Sequence, residues 1–229
     1  MCDGDLCQRD GLADTLKPAD FIRANLRLEP VPSLPEIRLY TAHPGSRLSR
    51  LAAPDDAAPY WAWQWAGGLA LAQHFAAHPD VVAGKRVLDL GAGSGLVGIA
   101  AVQAGGIANA AEIDPNGQAA IALNAAANRV SVPLVEIDIA GDAPEGFDLI
   151  AAGDVFYNPE VGKLMLPFLE RCVAAGIAVL VGDPERRDLP VERLERVASY
   201  AVGDVGDARD SAGRVGSVYR LRPPSTTSR

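Results

Sequence analysis

The residues best suited to chemistry begin with a glycine-rich turn. A short run, Val87-Leu88-Asp89-Leu90, is followed at alternate positions by Gly91, Gly93 and Gly95 and then by a helix-like stretch. Residues without a Cβ atom allow a ligand to touch the backbone, and the first turn of a helix offers N–H groups that lack partners. The pattern predicts a strand, a ligand-binding turn and a helix in succession.

The glycines are compatible with more than one ligand class. A dinucleotide fingerprint can be found if it starts at Gly93, with Gly95 and Gly98 as its later glycines. That fingerprint normally starts directly after the strand, where Gly91 stands, and a start at Gly91 places Leu96 where glycine or alanine is required. The dinucleotide match is therefore out of register.

Carboxylates also stand at the ends of predicted strands. Glu112 can accept hydrogen bonds from both hydroxyls of a ribose, which suits NAD as well as other nucleosides. Asp154 opens the stretch Asp154-Val155-Phe156-Tyr157. That stretch fits a substrate-binding carboxylate with aromatic walls, or a strand end with a capping aspartate and two core aromatics.

The elements that must position these residues form an alternating pattern. From Lys85 onward, short apolar runs alternate with helical windows, which is typical of a parallel sheet with helices on both faces. We assign strands to residues 86–90, 108–113, 133–137, 147–152 and 177–182. We assign helices to residues 67–77, 96–104, 115–128, 159–175 and, briefly, 191–197. Residues 199–205 and 214–221 are predicted to form an antiparallel hairpin.

We predict less regular structure at the two ends of the chain than in its middle. We expect disorder over residues 1–18 and 223–229 and a single domain over 19–222, divided into an accessory segment at 19–64 and a sheet-containing core at 65–222. Repeated prolines between Phe21 and Pro59 permit a short helix at 21–26 and an extended piece at 36–40.

Composition excludes several classes of protein. The net charge of −8 argues against binding to nucleic acid, and no apolar run is long enough to span a bilayer. Without a signal-like start we expect cytoplasmic residence. The three cysteines contain no C-x-x-C pair, so we expect no disulfide framework. His74 and His78 are four residues apart but lack a third ligand, so we expect no metal site.

The glycine-rich turn closely resembles the first motif of class I methyltransferases, which bind S-adenosylmethionine. The resemblance implies a Rossmann-like fold with a mainly parallel seven-stranded sheet. It also implies that Gly91, Gly93 and Gly95 line the cofactor and that Asp89 braces the loop. Glu112 would then hold the ribose. Asp138 matches the position that meets the adenine amino group, although a turn or cap role explains an aspartate there as well.

Two further segments resemble the lysine-methyltransferase branch of that family. They are the tryptophan-rich stretch at 59–68 and the stretch at 153–157. Together with residues 21–25, 35–39 and 182–184 they resemble the bacterial electron transfer flavoprotein β-subunit lysine methyltransferases, over nearly the whole chain from Phe21 to Pro223. The chain departs from the family pattern at Gln64, Ala66 and Glu185, which concern packing more than chemistry.

This resemblance implies residue roles in amine methylation. Asp154 would place the lysine ammonium first and accept its proton second, while Phe156 and Tyr157 wall the channel. Trp65 aligns with a position beside the cofactor, whereas we expect Trp61 and Trp63 to be core residues. Residues 183–186 fit either the substrate entrance or a surface turn.

The resemblance also implies a protein partner. We expect a monomer that methylates lysines of the electron transfer flavoprotein β-subunit. The alternatives are a ribosomal protein or a small amine as acceptor, an NAD-dependent oxidoreductase, and a module that binds the cofactor without catalysis.

Overall fold

The computed structural model describes residues 17–51, 58–202 and 214–223. Its helices are α1 (Pro18–Asn25), α2 (Ala66–Ala77), α3 (Leu96–Gln103), α4 (Pro115–Ala127) and α5 (Pro159–Ala174). Its strands are β1 (Arg27–Val31), β2 (Leu34–Thr41), β3 (Arg86–Leu90), β4 (Ile107–Ala111), β5 (Leu149–Gly153), β6 (Ala178–Asp183), β7 (Leu194–Ala201) and β8 (Val215–Leu221). The disorder expected for residues 1–16 and 224–229 lies outside the described residues, as does most of the hairpin connection.

A six-stranded sheet in the order β4-β3-β5-β6-β8-β7 carries the described fold. The pairs among β4, β3, β5 and β6 are parallel, and β8 pairs antiparallel with both β6 and β7. The predicted fold class, a mainly parallel sheet with an antiparallel C-terminal hairpin, is confirmed, but the sheet has six described strands where seven were expected. Because parallel strands share a direction, the carboxyl ends of β3, β5 and β6 lie at one edge of the sheet, and ligands of such sheets bind at this edge.

The strand predicted at 133–137 is reduced to an isolated bridge between Leu134 and Ala110. There the Ala110 N–H donates to the Pro133 carbonyl, and the Val135 N–H donates to the Ala110 carbonyl, both at 2.9 Å. The reason is that β4 ends one residue later, at Ala111, and the chain turns towards α4. Residues after Val135 therefore have no strand to continue pairing with.

Helices cover both faces of the sheet, as predicted. Val87 packs in a cluster with residues of α2 and α3, such as Leu71, whereas its neighbour Leu88 packs with residues of α5, such as Phe168. This alternation follows from the two-residue period of a strand. Proline in the first turn marks the start of α4 and of α5, and Asp114 and Asn158 cap these helices by accepting backbone hydrogen bonds.

The prediction of a short helix at 191–197 was wrong. Residues 191–193 form one 3₁₀ turn, and β7 begins at Leu194. The hairpin partner overrides the local pattern, because β8 uses one edge to pair with β6 and would leave its other edge unpaired without β7. The hairpin itself is confirmed, with β7 five residues earlier than expected at its start.

The N-terminal segment packs against α4. Residues 27–31 pair antiparallel with β2 as a strand that the sequence analysis missed, and α1 starts at Pro18, inside the stretch expected to be disordered. Asn124 of α4 accepts a hydrogen bond from the Tyr40 N–H at 2.8 Å, and Asn128 accepts one from the Arg38 N–H at 2.9 Å. These two side-chain amides attach the β1–β2 hairpin to α4.

The first turn of α2 rests directly on the carboxyl ends of β5 and β6. A methyl group at Gly67 would overlap the carbonyl oxygen of Gly182, and one at Gly182 would overlap the carbonyl oxygen of Gly67. A Cβ atom at Gly153 would lie 2.9 Å from the Cα atom of Gly68. Glycine at these positions lets the N-terminus of α2 reach the functional edge of the sheet.

Among residues 17–51, 58–202 and 214–223, no helix combines the length and the apolar character that crossing a membrane requires.

Candidate active site

The glycine loop at 91–95 joins β3 to α3 by an unusual backbone path. Gly91, Gly93 and Gly95 have φ angles of 69°, 52° and 79°, a region that side chains with a Cβ atom rarely adopt. The N–H groups of Gly91 and Ala92 both donate to the carbonyl of Ala111 at 3.0 Å, which ties the loop to the end of β4. The predicted ligand-binding turn therefore has a fixed shape set by backbone contacts.

Asp89 lies beneath this loop and is 1% exposed. Its Oδ2 atom accepts a hydrogen bond from the Gly98 N–H at 2.8 Å, which ties β3 to the first turns of α3. Burial raises the pKa of Asp89 to about 7, and the charge of Glu112 adds to the rise. This contact braces the junction between β3 and α3, and a role for Asp89 in cofactor binding stays a prediction.

Glu112 connects the glycine loop to the start of α4. Its Oε2 atom accepts from the Gly93 N–H at 2.8 Å, and its Oε1 atom accepts from the Asp114 N–H at 2.9 Å. Each carboxylate oxygen has a second lone pair, so both can still accept from a hydroxyl group. The backbone thus fixes the orientation of a half-buried carboxylate at the end of β4.

Asp138 takes a local turn position in the structure. Its side chain is solvent-exposed, and Oδ1 accepts a hydrogen bond from the Ala140 N–H at 2.9 Å. This is the turn role that the sequence analysis kept as an alternative. A contact between Asp138 and adenine stays a prediction.

The three tryptophans divide differently from the expectation. Trp61 is 2% exposed and belongs to the cluster under α1 and α4, as predicted. Trp63 and Trp65 are both half-buried and line the same cleft. Both have extended backbone, which places alternate side chains on one side of the chain. Trp63 also packs against the buried cluster of Trp61, so its core assignment holds in part, and its two-residue spacing from Trp65 is the signal for the cleft contact that was missed.

The cleft brings the two groups of predicted residues together. Its lining includes Gly91 and Gly93 on one side, Trp63 and Trp65 on another, and Asp154 at the end of β5. A larger groove opens between Glu36, Ala76 and Gln103, but it contains none of the predicted site residues. The smaller cleft thus joins the start of the glycine loop to Asp154, whereas its described lining does not include Gly95, Glu112, Asp138, Phe156 or Tyr157.

Asp154 is held in place by three separate parts of the chain. Its φ angle is 58°, and its N–H donates to the carbonyl of Gly182 at 2.8 Å. Its Oδ2 atom accepts from the Gly68 N–H in the first turn of α2 at 2.9 Å, and its Oδ1 atom pairs with Arg186. Burial raises the pKa of Asp154, Arg186 opposes that rise, and the nearby Asp183 adds to it.

The two aromatics after Asp154 lie in different environments. Tyr157 is 46% exposed, and its ring centroid lies 5.5 Å from that of Tyr60, which in turn lies 5.6 Å from the ring of Trp65. Phe156 is 1% exposed and packs in the core with α5, so its predicted place on the channel wall is corrected. Its burial matches the preference of a phenyl ring for the interior.

Burial raises the pKa of Tyr157, and the neighbouring Tyr60 and the charge of Glu112 add to the rise.

The turn after β6 belongs to the site. The Asp183 carboxylate is fully buried, and its Oδ1 atom accepts from the Arg186 N–H at 2.6 Å, which closes the turn. The Arg186 side chain then reaches Asp154. The turn alternative for residues 183–186 agrees with the structure, and the substrate-entrance alternative stays a prediction.

His74 has a structural partner. Its Nδ1 atom lies 2.9 Å from the Tyr200 hydroxyl group of β7, and its ring centroid lies 5.0 Å from that of His78. The contact ties α2 to the outer strand of the sheet.

Comparison with known proteins gives consistent results. Residues 62–199, more than half of the chain, match a family model described as lysine methyltransferase. The chain is 37% identical over 174 residues to the electron transfer flavoprotein beta subunit lysine methyltransferase of Rattus norvegicus, which covers 72% of this chain and 68% of the relative. It is 36% identical over 200 residues to the protein of that name from Xenopus laevis, covering 82% and 80%.

A solved structure shows the same fold. A Pyrococcus horikoshii protein assigned as an RNA methyltransferase aligns with a TM-score of 0.53 at 15% identity, covering 79% of this chain and 94% of that protein. At this identity the likeness concerns the fold alone.

Proposed function

The chain belongs to the lysine methyltransferase family, and on that basis we propose that it methylates lysine side chains of the electron transfer flavoprotein β-subunit. It is an S-adenosylmethionine-dependent methyltransferase, which sets aside the oxidoreductase alternative. The observation that carries the proposal is the cleft in which the glycine loop and Asp154 share one lining. A methyl donor and an amine must meet in line, and a single cleft with two kinds of lining supports that arrangement.

The cofactor end of the cleft fits a nucleoside with a charged sulfur. In our proposal Gly91 and Gly93 offer close backbone approach, Gly95 completes the turn into α3, and Trp65 lies beside the cofactor. Glu112 accepts from the ribose hydroxyls with the lone pairs that Gly93 and Asp114 leave unused. Asp138 reaches the adenine amino group. The bound cofactor supplies an activated methyl group, whose bond to sulfur breaks as the bond to nitrogen forms.

The amine end consists of a carboxylate and aromatic rings. Asp154 attracts the lysine ammonium and orients its nitrogen, and this placement is its first role in our proposal. Tyr157 and Tyr60 expose their rings on the same side, where they can face a cation. Phe156 supports this end from the core and does not contact the substrate in our proposal. Asp154, Tyr157 and Tyr60 thus form the substrate-binding group.

The test is methylation of defined acceptors. We would incubate the purified protein and labelled S-adenosylmethionine with recombinant electron transfer flavoprotein β-subunit, a ribosomal protein mixture and free lysine. Mass spectrometry would then locate the modified residues. We expect label on lysines of the β-subunit alone. Stronger labelling of a ribosomal protein or of free lysine would contradict the proposed target while leaving the methyltransferase activity intact.

Two expectations remain predictions beside this proposal, namely a monomeric state and a cytoplasmic location. Light scattering of the purified protein and fractionation of the source cells test them separately from the activity.

A further inference from the structure

Arg186 joins two buried carboxylates that come from different strands. Its guanidinium pairs with Asp154 after β5 and lies 3.4 Å from Oδ2 of Asp183 at the end of β6. The Asp154 side chain is 11% exposed, that of Asp183 is 0% exposed and that of Arg186 is 22% exposed. Charges screened this little from one another interact more strongly than they would at a surface.

The position of Arg186 is set by the fold rather than by chance contact. Asp183 accepts the backbone N–H of Arg186 at 2.6 Å, and this closes the turn that aims the side chain at Asp154. The Asp154 Oδ2 atom is held by the Gly68 N–H, which leaves Oδ1 to face Arg186. The pair is therefore built from the ends of β5 and β6 and the start of α2.

Lysine methylation poses an electrostatic problem at this carboxylate. An isolated carboxylate stabilises the ammonium form of a lysine, whereas attack on a methyl group requires the neutral amine. A second cation beside the same carboxylate reduces that stabilisation, because like charges disfavour each other's charged forms. Arg186 is such a cation, and a guanidinium cannot lose its own proton in this pH range.

We propose that Arg186 is a positioning residue that offsets the negative charge of Asp154, so that a lysine amine held against this carboxylate can release its proton to water near neutral pH. This inference rests on the proposed methylation of lysine. It goes beyond it by assigning a role to a residue that does not itself react. The proton leaves before methyl transfer, so the amine nitrogen has a free electron pair for the new bond.

The direction of the expected pH effect follows from the surrounding charges. Arg186 lowers the pKa of Asp154, while Asp183 from the same turn raises it. The first turn of α2 contributes the Gly68 N–H, and the segment after β5 contributes Tyr157, whose ring lies beside that of Tyr60. Loss of the Arg186 charge would raise the pKa of Asp154 and that of an amine beside it. Both changes shift the acid limb of the activity profile to higher pH.

The test is the pH dependence of kcat/KM for Arg186→Gln and Arg186→Lys, measured with the β-subunit. We expect Arg186→Gln to lose about tenfold in activity at pH 7.5, with an acid limb displaced upward by about one pH unit, and to recover as the pH rises towards 10. Arg186→Lys keeps a cation and should follow the unsubstituted protein.

The matched control is Arg196→Gln. Arg196 pairs with Glu185 next to Arg186 and stacks on Tyr219, but it lies on an exposed surface and has no described contact with Asp154. Its profile should not change. Melting temperatures of all three variants show whether each one is folded.

A second readout follows the proton directly. Calorimetric titration of the β-subunit into protein saturated with S-adenosylhomocysteine, in buffers of different ionisation enthalpy, counts the protons released on binding. We expect the unsubstituted protein to release about one proton at pH 8 and the Arg186→Gln variant to release clearly less.

Three results would overturn the inference. They are an equal loss of activity at every pH, an unchanged profile together with unchanged proton release, and a gain of activity at neutral pH. The last would show that Arg186 competes with the substrate for Asp154. If the unsubstituted protein methylates no lysine of any acceptor, the proposed function fails rather than this inference. The activity of the unsubstituted protein therefore distinguishes the two failures.

Discussion

The two ends of the cleft are built in different ways. At the cofactor end, the backbone N–H groups that Asp89 and Glu112 bind are at most 19 residues away along the chain. At the amine end, Asp154 binds Gly68, 86 residues away, and Arg186, 32 residues away. The first end is thus a local backbone structure, whereas the second is assembled from side chains and a helix that meet only in the folded protein.

This difference indicates which substitutions should affect cofactor binding and which should affect turnover. Backbone contacts shape the cofactor end, so few side-chain changes should disturb it apart from the carboxylate that faces the nucleoside. The amine end depends on charges and on the position of α2. Substitutions at the two ends should therefore separate cofactor affinity from turnover.

The largest effect is expected for Asp154→Asn. Asparagine tolerates the left-handed φ angle of this position and keeps nearly the same shape, but it loses the charge and one of the two acceptor oxygens that bind Gly68 and Arg186. We expect kcat to fall about 100-fold or more, because the amine loses the charged group that attracts and orients it for in-line attack. Cofactor affinity, measured by calorimetry, should stay within about threefold. A comparable loss of affinity would show that the two ends are not independent.

A somewhat smaller effect, at the opposite end, is expected for Glu112→Gln. The amide group has one acceptor atom where the carboxylate has two, so it cannot bind both Gly93 and Asp114 and also accept from ribose hydroxyls. We expect the Kd for S-adenosylmethionine to rise about 10- to 100-fold, which is the range for a charged hydrogen bond. Turnover at saturating cofactor should change little. Unaltered affinity would remove Glu112 from the cofactor site.

The smallest expected effect concerns stability and uses two adjacent glycines. In Gly67→Ala the new methyl group meets the Gly182 carbonyl, so α2 must shift from the sheet at a cost of about 1–3 kcal/mol. In Gly68→Ala it meets Val97 at 3.7 Å, an ordinary contact. Denaturant unfolding should therefore show a clear loss for the first variant and little change for the second. Equal losses would mean that the close approach of α2 to β6 does not determine its position.

The local part of the structure could be predicted from the sequence. The strand at 86–90 agrees with the structure to the residue, and the helices after each glycine or proline signal agree within a few residues. The reason is that these signals act through the backbone: glycines permit φ angles near 69°, and proline fits the first turn of a helix. Asp89 and Glu112 could be located because they stand next to such signals.

The rest required tertiary contacts that no local pattern contains. Residues 194–197 form a strand because β8 offers an unpaired edge, and residues 133–137 fail to form one because β4 ends early. Phe156 and Tyr157 are adjacent aromatics, yet one is in the core and the other is exposed. Arg186 pairs with Asp154 because β5 and β6 are neighbours in the sheet and end at the same edge. No local sequence pattern indicates that these two strands are neighbours.

The most direct test of this account is a crystal structure with S-adenosylhomocysteine and a lysine-containing peptide of the β-subunit. We predict the nucleoside over the ends of β3 and β4, with its ribose hydroxyls bound to Glu112, and the lysine Nζ atom within about 3.5 Å of the Asp154 carboxylate. A nucleoside bound away from the glycine loop, or a lysine nitrogen that approaches the cofactor without meeting Asp154, would contradict the account.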